Sequence, residues 1–299
     1  MSHRLSADGG IDGGIDGGID GGIDGGIDGG IGLFAGLAIG GGFEAELGES
    51  PMLLGATFPI AAFAPQLRAQ VLLAEFAATD WRAAVPGPPP DADDKDRLED
   101  EVKALLELVK LRASRAAEIR AQSSNLGGAW LRLLMAEAGG RPATTTLVAL
   151  GLAVGHMVGM HWKWHFKRAR PVQVYPALLP MIPTPPHASY PSNHSFQSHM
   201  IAQLLKAALA PGLAKGLALP FDALADRIAE NREVAGVHFP SDTVAGAALA
   251  TAMLPLLVGL TEVQDLLKQV RTEFAGVSAT LDRVNPPKPR LATNVATGP

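Results

Sequence analysis

The chain has 299 residues, no cysteine, a net charge of −5 and 47% hydrophobic residues. That length holds one large domain or two ordinary ones, and the lack of cysteine excludes a disulfide scaffold, a thiolate nucleophile, a cysteine-ligated zinc and an iron–sulfur cluster. Charged residues are 18%, below the roughly 25% of average soluble chains, which indicates a well-buried core and not disorder.

Met1-Ser2-His3-Arg4 is not followed by an apolar stretch, so no signal peptide is expected. The expected location is the cytoplasm, with the periplasm as the alternative. Residues 8–31 are six copies of Asp-Gly-Gly-Ile. Half of these positions are glycine, and little apolar surface offsets the entropy of ordering them. Residues 1–44 are therefore expected to form a flexible tail. Six aspartates could hold calcium, although the spacing differs from the nine-residue calcium-binding repeat. Removing those six from the 30 acidic residues leaves 24 against 25 basic. The body is thus near neutral, and no nucleic-acid partner attracted by bulk charge is expected.

From about residue 45 to 284 the pattern predicts one all-α, helical-bundle domain. Gln66–Arg82 reads as an amphipathic helix, ended by the proline run Pro86-Gly87-Pro88-Pro89-Pro90. Asp91–Asp96 supplies acidic residues for the next helix start. There Leu98, Val102, Leu105, Val109, Ala116 and Ile119 share a face, with Glu101, Lys103, Glu107, Lys110 and Glu118 on the solvated one. Asn125–Glu137 and Thr144–Ala169 follow as helices. Pro171–Pro191 has seven prolines in 21 residues and is expected to be irregular. Helices resume at Ser192–Leu209, Phe221–Val234, Pro240–Leu260 and Glu262–Phe274. The segment 285–299 is expected to be disordered. The apolar runs Leu147–Met160 and Val244–Leu260 have 14 and 17 residues. Both fall short of the ~20 needed to cross a bilayer, so no membrane span is expected.

Three blocks concentrate the chemistry. Lys163-x6-Arg170-Pro171 places two cations nearly two helical turns apart. Arg170 offers a planar fork for two oxyanion oxygens, and Lys163 a point charge. An ordinary solvated basic face is the competing reading, given Lys167 and Arg168 nearby. Pro191-Ser192-Asn193-His194 puts Ser192 at an N-cap, with the N–H groups of Asn193 and His194 at a helix start that suits anions; a plain cap is the alternative. In Arg232-x5-His238-x3-Asp242 the imidazole and carboxylate stand one helical turn apart. The carboxylate can fix the tautomer and leave the other ring nitrogen a lone pair. A purely structural buried pair competes with that reading.

The three blocks together, with the strings His187-Ala188-Ser189-Tyr190-Pro191-Ser192-Asn193-His194 and Asn231-Arg232-Glu233-Val234-Ala235-Gly236-Val237-His238, resemble the signature of one superfamily. It joins type 2 phosphatidic acid phosphatases, bacterial class A acid phosphatases and vanadium-dependent haloperoxidases. The resemblance implies an all-α core in which Lys163, Arg170, Arg232, Ser192 and the Asn193 backbone hold phosphate or vanadate. It further implies that His238 is the nucleophile giving a phosphohistidine, that Asp242 orients it, and that His194 protonates the leaving oxygen. It implies no cofactor for a phosphomonoesterase. For a haloperoxidase acting on halide and peroxide it implies vanadate, with His238 as its ligand. A phosphate- or vanadate-binding protein of weak catalytic power is a third reading, because Asn193 stands where the family has glycine. An integral-membrane lipid phosphatase is disfavoured by the polar Leu98–Arg120 helix. His187 and His156 are possible pocket residues. His161 and His165 have metal-ligand spacing without a carboxylate companion. A homodimer through alanine-rich helices is an open possibility.

Overall fold

Proline opens five of the ten α-helices found among the described residues, at the first position where its missing N–H costs nothing. The structure is a computed structural model, and it describes residues 55–90, 94–136 and 139–277. The Asp-Gly-Gly-Ile repeats, the expected tail boundary at 45 and the segment 285–299 lie outside them. The chain divides into Met1–Thr57 and Phe58–Pro299, and all helices named below belong to the second unit.

The α-helices are α1 (Pro65–Ala77), α2 (Lys95–Leu108), α3 (Arg112–Ser124), α4 (Leu126–Leu133), α5 (Pro142–Phe166), α6 (Pro171–Val174), α7 (Asn193–Ala208), α8 (Pro211–Val234), α9 (Pro240–Val258) and α10 (Thr261–Glu273). No strand occurs among the described residues, as the patterning predicts. Polar caps fix several starts. The Asp94 carboxylate accepts from Arg97 N at 3.0 Å and the Asn125 amide oxygen from Gly128 N at 2.8 Å. Glu273 of α10 accepts from the backbone N–H groups of Ala143 and Thr144, at 2.7 and 2.9 Å, and so caps α5 from across the bundle.

Helix α7 is central and packs on α5, α8 and α9. The core joins Leu150, Val154 and Val158 of α5 to Phe196, Met200 and Leu204 of α7, Phe221 and Ile228 of α8, and Met253 and Leu257 of α9. Burying each such side chain contributes about 1.5–3 kcal/mol. Glycine lets α5 and α7 approach closely. A Cβ on Gly151, Gly155 or Gly159 would come within 2.7 Å of Ile201, 2.4 Å of Gln197 and 2.0 Å of Asn193. Both series have four-residue spacing, so one ridge lies along the other. On the other flank a Cβ on Gly246 of α9 would meet Ser192 O at 2.5 Å and Phe196 N at 2.9 Å.

Three expectations change. The long helix over 98–120 is interrupted by a 3₁₀ turn at Val109–Leu111. Val102 and Leu105 then pack against Leu178 and Phe239, while Ile119 packs against Val234 and Val237. The proline-rich Pro171–Pro191 contains α6 and the 3₁₀ turn Pro176–Leu178, because Pro171 and Pro176 each occupy a first helical position. The expectation of no membrane span is also overturned. Two segments, Pro142–Val174 and Pro240–Val258, are long and apolar enough to cross a membrane by length and composition. Helical residues beyond the ends of the apolar run Leu147–Met160 lengthen the first segment: α5 has 25 residues, about 37 Å at 1.5 Å each.

Candidate active site

Helix α5, the loop after it and the starts of α7 and α9 deliver the three blocks to one buried place. Lys163, near the end of α5, donates through Nζ to Ala188 O at 3.0 Å and Ser189 O at 2.7 Å. Arg170 caps α6. Its Nε donates to His187 O at 2.9 Å, its Nη1 to Val237 O at 2.6 Å, and Nη1 also lies 3.1 Å from His238 Nε2. Its Nη2 lies 3.0 Å from His187 Nδ1. Lys163, Arg170, Arg232, His238 and Asp242 are all buried.

His238 Nδ1 lies 3.0 Å from Asp242 Oδ2. A carboxylate only accepts, so the proton sits on Nδ1 and Nε2 presents a lone pair towards Arg170. Asp242 is in the first turn of α9, where its Oδ2 also accepts from Phe239 N at 2.9 Å. Its backbone carbonyl accepts from Ser192 N at 2.9 Å, joining the starts of α7 and α9. Ser192 is the N-cap of α7, its hydroxyl 3.4 Å from Ser195 N.

Arg232 comes from the last turn of α8 and is held by α3. Its Nη1 donates to Ser123 Oγ at 2.7 Å, and its Nη2 to Ile119 O at 3.1 Å and to Gln122 Oε1 at 3.3 Å. Its Nε is buried without a partner, a donor suited to an oxyanion. His194 lies 3.3 Å from Gln122 O through Nε2. The carbonyl requires Nε2–H, which leaves the lone pair on Nδ1.

Burial first, then neighbouring cations, keep the histidines neutral. His194 is lowered to about 3 by burial and Arg232, against a raising bond from Gln122 O. His187 is lowered to about 4 by burial, Lys163 and Arg170. His238 lies well below its ordinary value through burial, Arg170 and Lys163. Burial also lowers Arg232 to about 10. These histidines respond to the same cations, which marks one electrostatic site.

Asn193 has helical backbone geometry, so no left-handed conformation demands the family's glycine there. Its side chain turns towards Gly159, with Oδ1 buried and unpartnered. His156 is exposed and lies near enough to His187 to disfavour its protonation. His161 and His165 stack edge-on against Trp162, and no metal-holding cluster exists among the described residues. Three residues were missed. In the sequence Arg168 serves only as a neighbour that favours a solvated basic face, Glu101 falls on the solvated face of its helix, and Ser189 carries no signal; all three engage Asp242 directly or through one another. A cleft of about 640 Å³, lined by Pro86, Tyr190, Glu101, Ser241 and Val244 among others, includes none of His238, His194, Lys163, Arg170 or Arg232.

A helical bundle that buries three cations around a carboxylate-oriented imidazole defines an oxyanion-handling enzyme of the phosphoryl-transfer kind. The PAP2 superfamily model matches residues 143–264, which contain all three blocks. Decaprenylphosphoryl-5-phosphoribose phosphatase of Mycobacterium tuberculosis, in two strains, is 36% identical over 129 residues, 43% of this chain and 68% of that protein. The chain belongs to the PAP2 superfamily and is a phosphatase of that superfamily. Among solved structures, a transmembrane PAP2-type phosphatidylglycerolphosphate phosphatase from Bacillus subtilis aligns with 67% of this chain and 96% of its own, at 20% identity and a TM-score of 0.44. A bacterial vanadium-dependent iodoperoxidase aligns with 58% and 52%, at 15% identity and a TM-score of 0.44. The two segments long and apolar enough to cross a membrane by length and composition correct the expectation of a span-free, cytoplasmic protein.

Proposed function

We propose that this chain hydrolyses a lipid-linked phosphomonoester through a phosphohistidine at His238. The observation that carries this reading is the buried His238–Asp242 pair, with Nε2 3.1 Å from Arg170. The Nε2 lone pair attacks phosphorus and forms an N–P bond as the P–O bond to the alcohol breaks. His194, protonated once the anion's charge is bound beside it, gives its proton to the departing oxygen. Water then attacks the phosphohistidine and loses a proton to His194, inorganic phosphate leaves, and His238 is regenerated. Lys163, Arg170 and Arg232 offset the charge on the phosphoryl oxygens, which a dry site makes more effective than in water. The Ser192 hydroxyl and the Asn193 N–H, at the start of α7, add neutral donors. The lipid part of the proposal draws support from the relative whose name carries a decaprenylphosphoryl substrate, and from the apolar segments of this chain.

The test is turnover of a polyprenyl-linked and a soluble phosphomonoester by the full chain in detergent, with acid-labile, base-stable labelling by ³²P substrate. Asp242→Asn is expected to lower kcat about 10⁴-fold, as tautomer loss does in carboxylate–histidine pairs, and His238→Ala to remove the label. Wild-type turnover in a folded His238→Ala protein would overturn the assignment.

A further inference from the structure

We propose that Arg168 and Glu101 are a positioning pair that assigns the two oxygens of Asp242 to different partners, so that one oxygen is kept for His238. The inference rests on the phosphohistidine reading and deepens it.

Arg168 follows α5 and is buried, its guanidinium 4.1 Å from the centre of the Phe239 ring. Nη1 donates to Asp242 Oδ1 at 2.6 Å and to Ser241 Oγ at 2.8 Å, while Nη2 pairs with Glu101 Oε2. Glu101, from α2, uses its other oxygen to accept from Ser241 N at 2.9 Å. The pair therefore grips the first turn of α9 through its backbone as well as through Asp242. On the other carboxylate oxygen, Oδ2, converge His238 Nδ1, Phe239 N and the Ser189 hydroxyl. With Oδ1 committed to a guanidinium, the carboxylate cannot swing its oxygens without breaking a buried ion pair. The plane that Oδ2 presents to the imidazole is thereby set.

Charge makes Glu101 part of the device. Arg168 alone would draw on the same negative charge that must support an imidazolium at His238. A second carboxylate on the far fork shares that cation and leaves Asp242 a larger part of its charge for the ring. Arg, with a planar fork, can bridge two carboxylates and a hydroxyl at once; Lys, a point charge, cannot hold that geometry. Neither residue touches the reacting atoms.

The experiment uses the full chain in detergent, with Glu101→Gln and Arg168→Lys, and has two readouts. One is the split of kcat and KM on p-nitrophenyl phosphate; the other is the ¹⁵N spectrum of the His238 ring, identified by its loss in His238→Ala. Both variants are expected to lower kcat about 10–100-fold, as removing an outer partner of a functional histidine does, with KM within about twofold. The His238 Nδ1–H signal is expected to shift or broaden. Folded variants with unchanged ring signals overturn the inference, whatever their kcat. A wild-type protein that forms no acid-labile, base-stable phosphoryl label, yet whose ring signal responds to both variants, overturns the phosphohistidine reading and leaves the positioning pair standing. If both single variants unfold, Arg168→Gln with Glu101→Gln removes both charges of the pair while keeping an amide to donate to Asp242, and is scored on the same ring signal.

Discussion

The Asn193 side chain occupies the space that Gly159 leaves open: a Cβ on Gly159 would stand 2.0 Å from Asn193 Oδ1. The resemblance leads one to expect glycine at the head of α7, and this chain instead carries its glycine on the facing helix. Gly159→Ala alone is expected to cost about 1–3 kcal/mol, the usual penalty of overpacking. Adding Asn193→Gly should recover most of it. Chemical unfolding of the two singles and the double gives a cycle whose coupling should lie within about 0.5–3 kcal/mol; additive effects would refute the packing relation.

Gly246 faces backbone where Gly159 faces a side chain. Its added Cβ would lie 2.5 Å from Ser192 O and 2.9 Å from Phe196 N, atoms that cannot rotate away. Gly246→Ala should therefore push α9 from the start of α7 and lower kcat by at least tenfold, with no second-site glycine able to restore it. Wild-type kinetics in that variant would contradict the close crossing.

Low pH should loosen the fold through the neutral histidines. His194 and His187 sit at about 3 and about 4 in the folded chain, against about 6.5 when unfolded. Between those values the unfolded chain binds more protons. Their contribution is thus complete above about pH 6.5 and is lost as pH falls towards 4 and then 3. The thermal midpoint in detergent should drop from pH 7 to pH 4.5, and His187→Gln should flatten that slope. Phosphate, whose charge opposes the cations, should raise the midpoint. An equal slope in His187→Gln would exclude the histidine as a contributor.

Cell fractionation checks the two apolar segments. The chain is expected in the membrane pellet, resistant to alkaline carbonate and released by detergent. Recovery in the supernatant without detergent would show that α5 and α9 are core helices only.

The three blocks were legible because each is local: a helix face, a cap and a one-turn imidazole–carboxylate pair. Their convergence followed from the resemblance, and the 3.1 Å approach of Arg170 to His238 agrees with it. What local pattern could not reveal were contacts across the chain. Arg168 meets Asp242 over 74 residues, and Glu101 meets Ser241 over 140. Nothing in the spacing of Glu101 separates it from Lys103 or Glu107 on the same helix. The glycine ridge of α5 went unread because its meaning lies in the partner helix, and the membrane-length segments because threonine and histidine interrupt the apolar runs without interrupting the helix.

Asp242 has one further consequence. Its side chain holds His238, while its carbonyl holds the N-cap of the helix that carries His194. The groups proposed for bond formation and for product departure are thus geared to a single residue. A sliding of α9 moves both together, so new specificities are more readily evolved in the outer loops than by retuning either histidine alone.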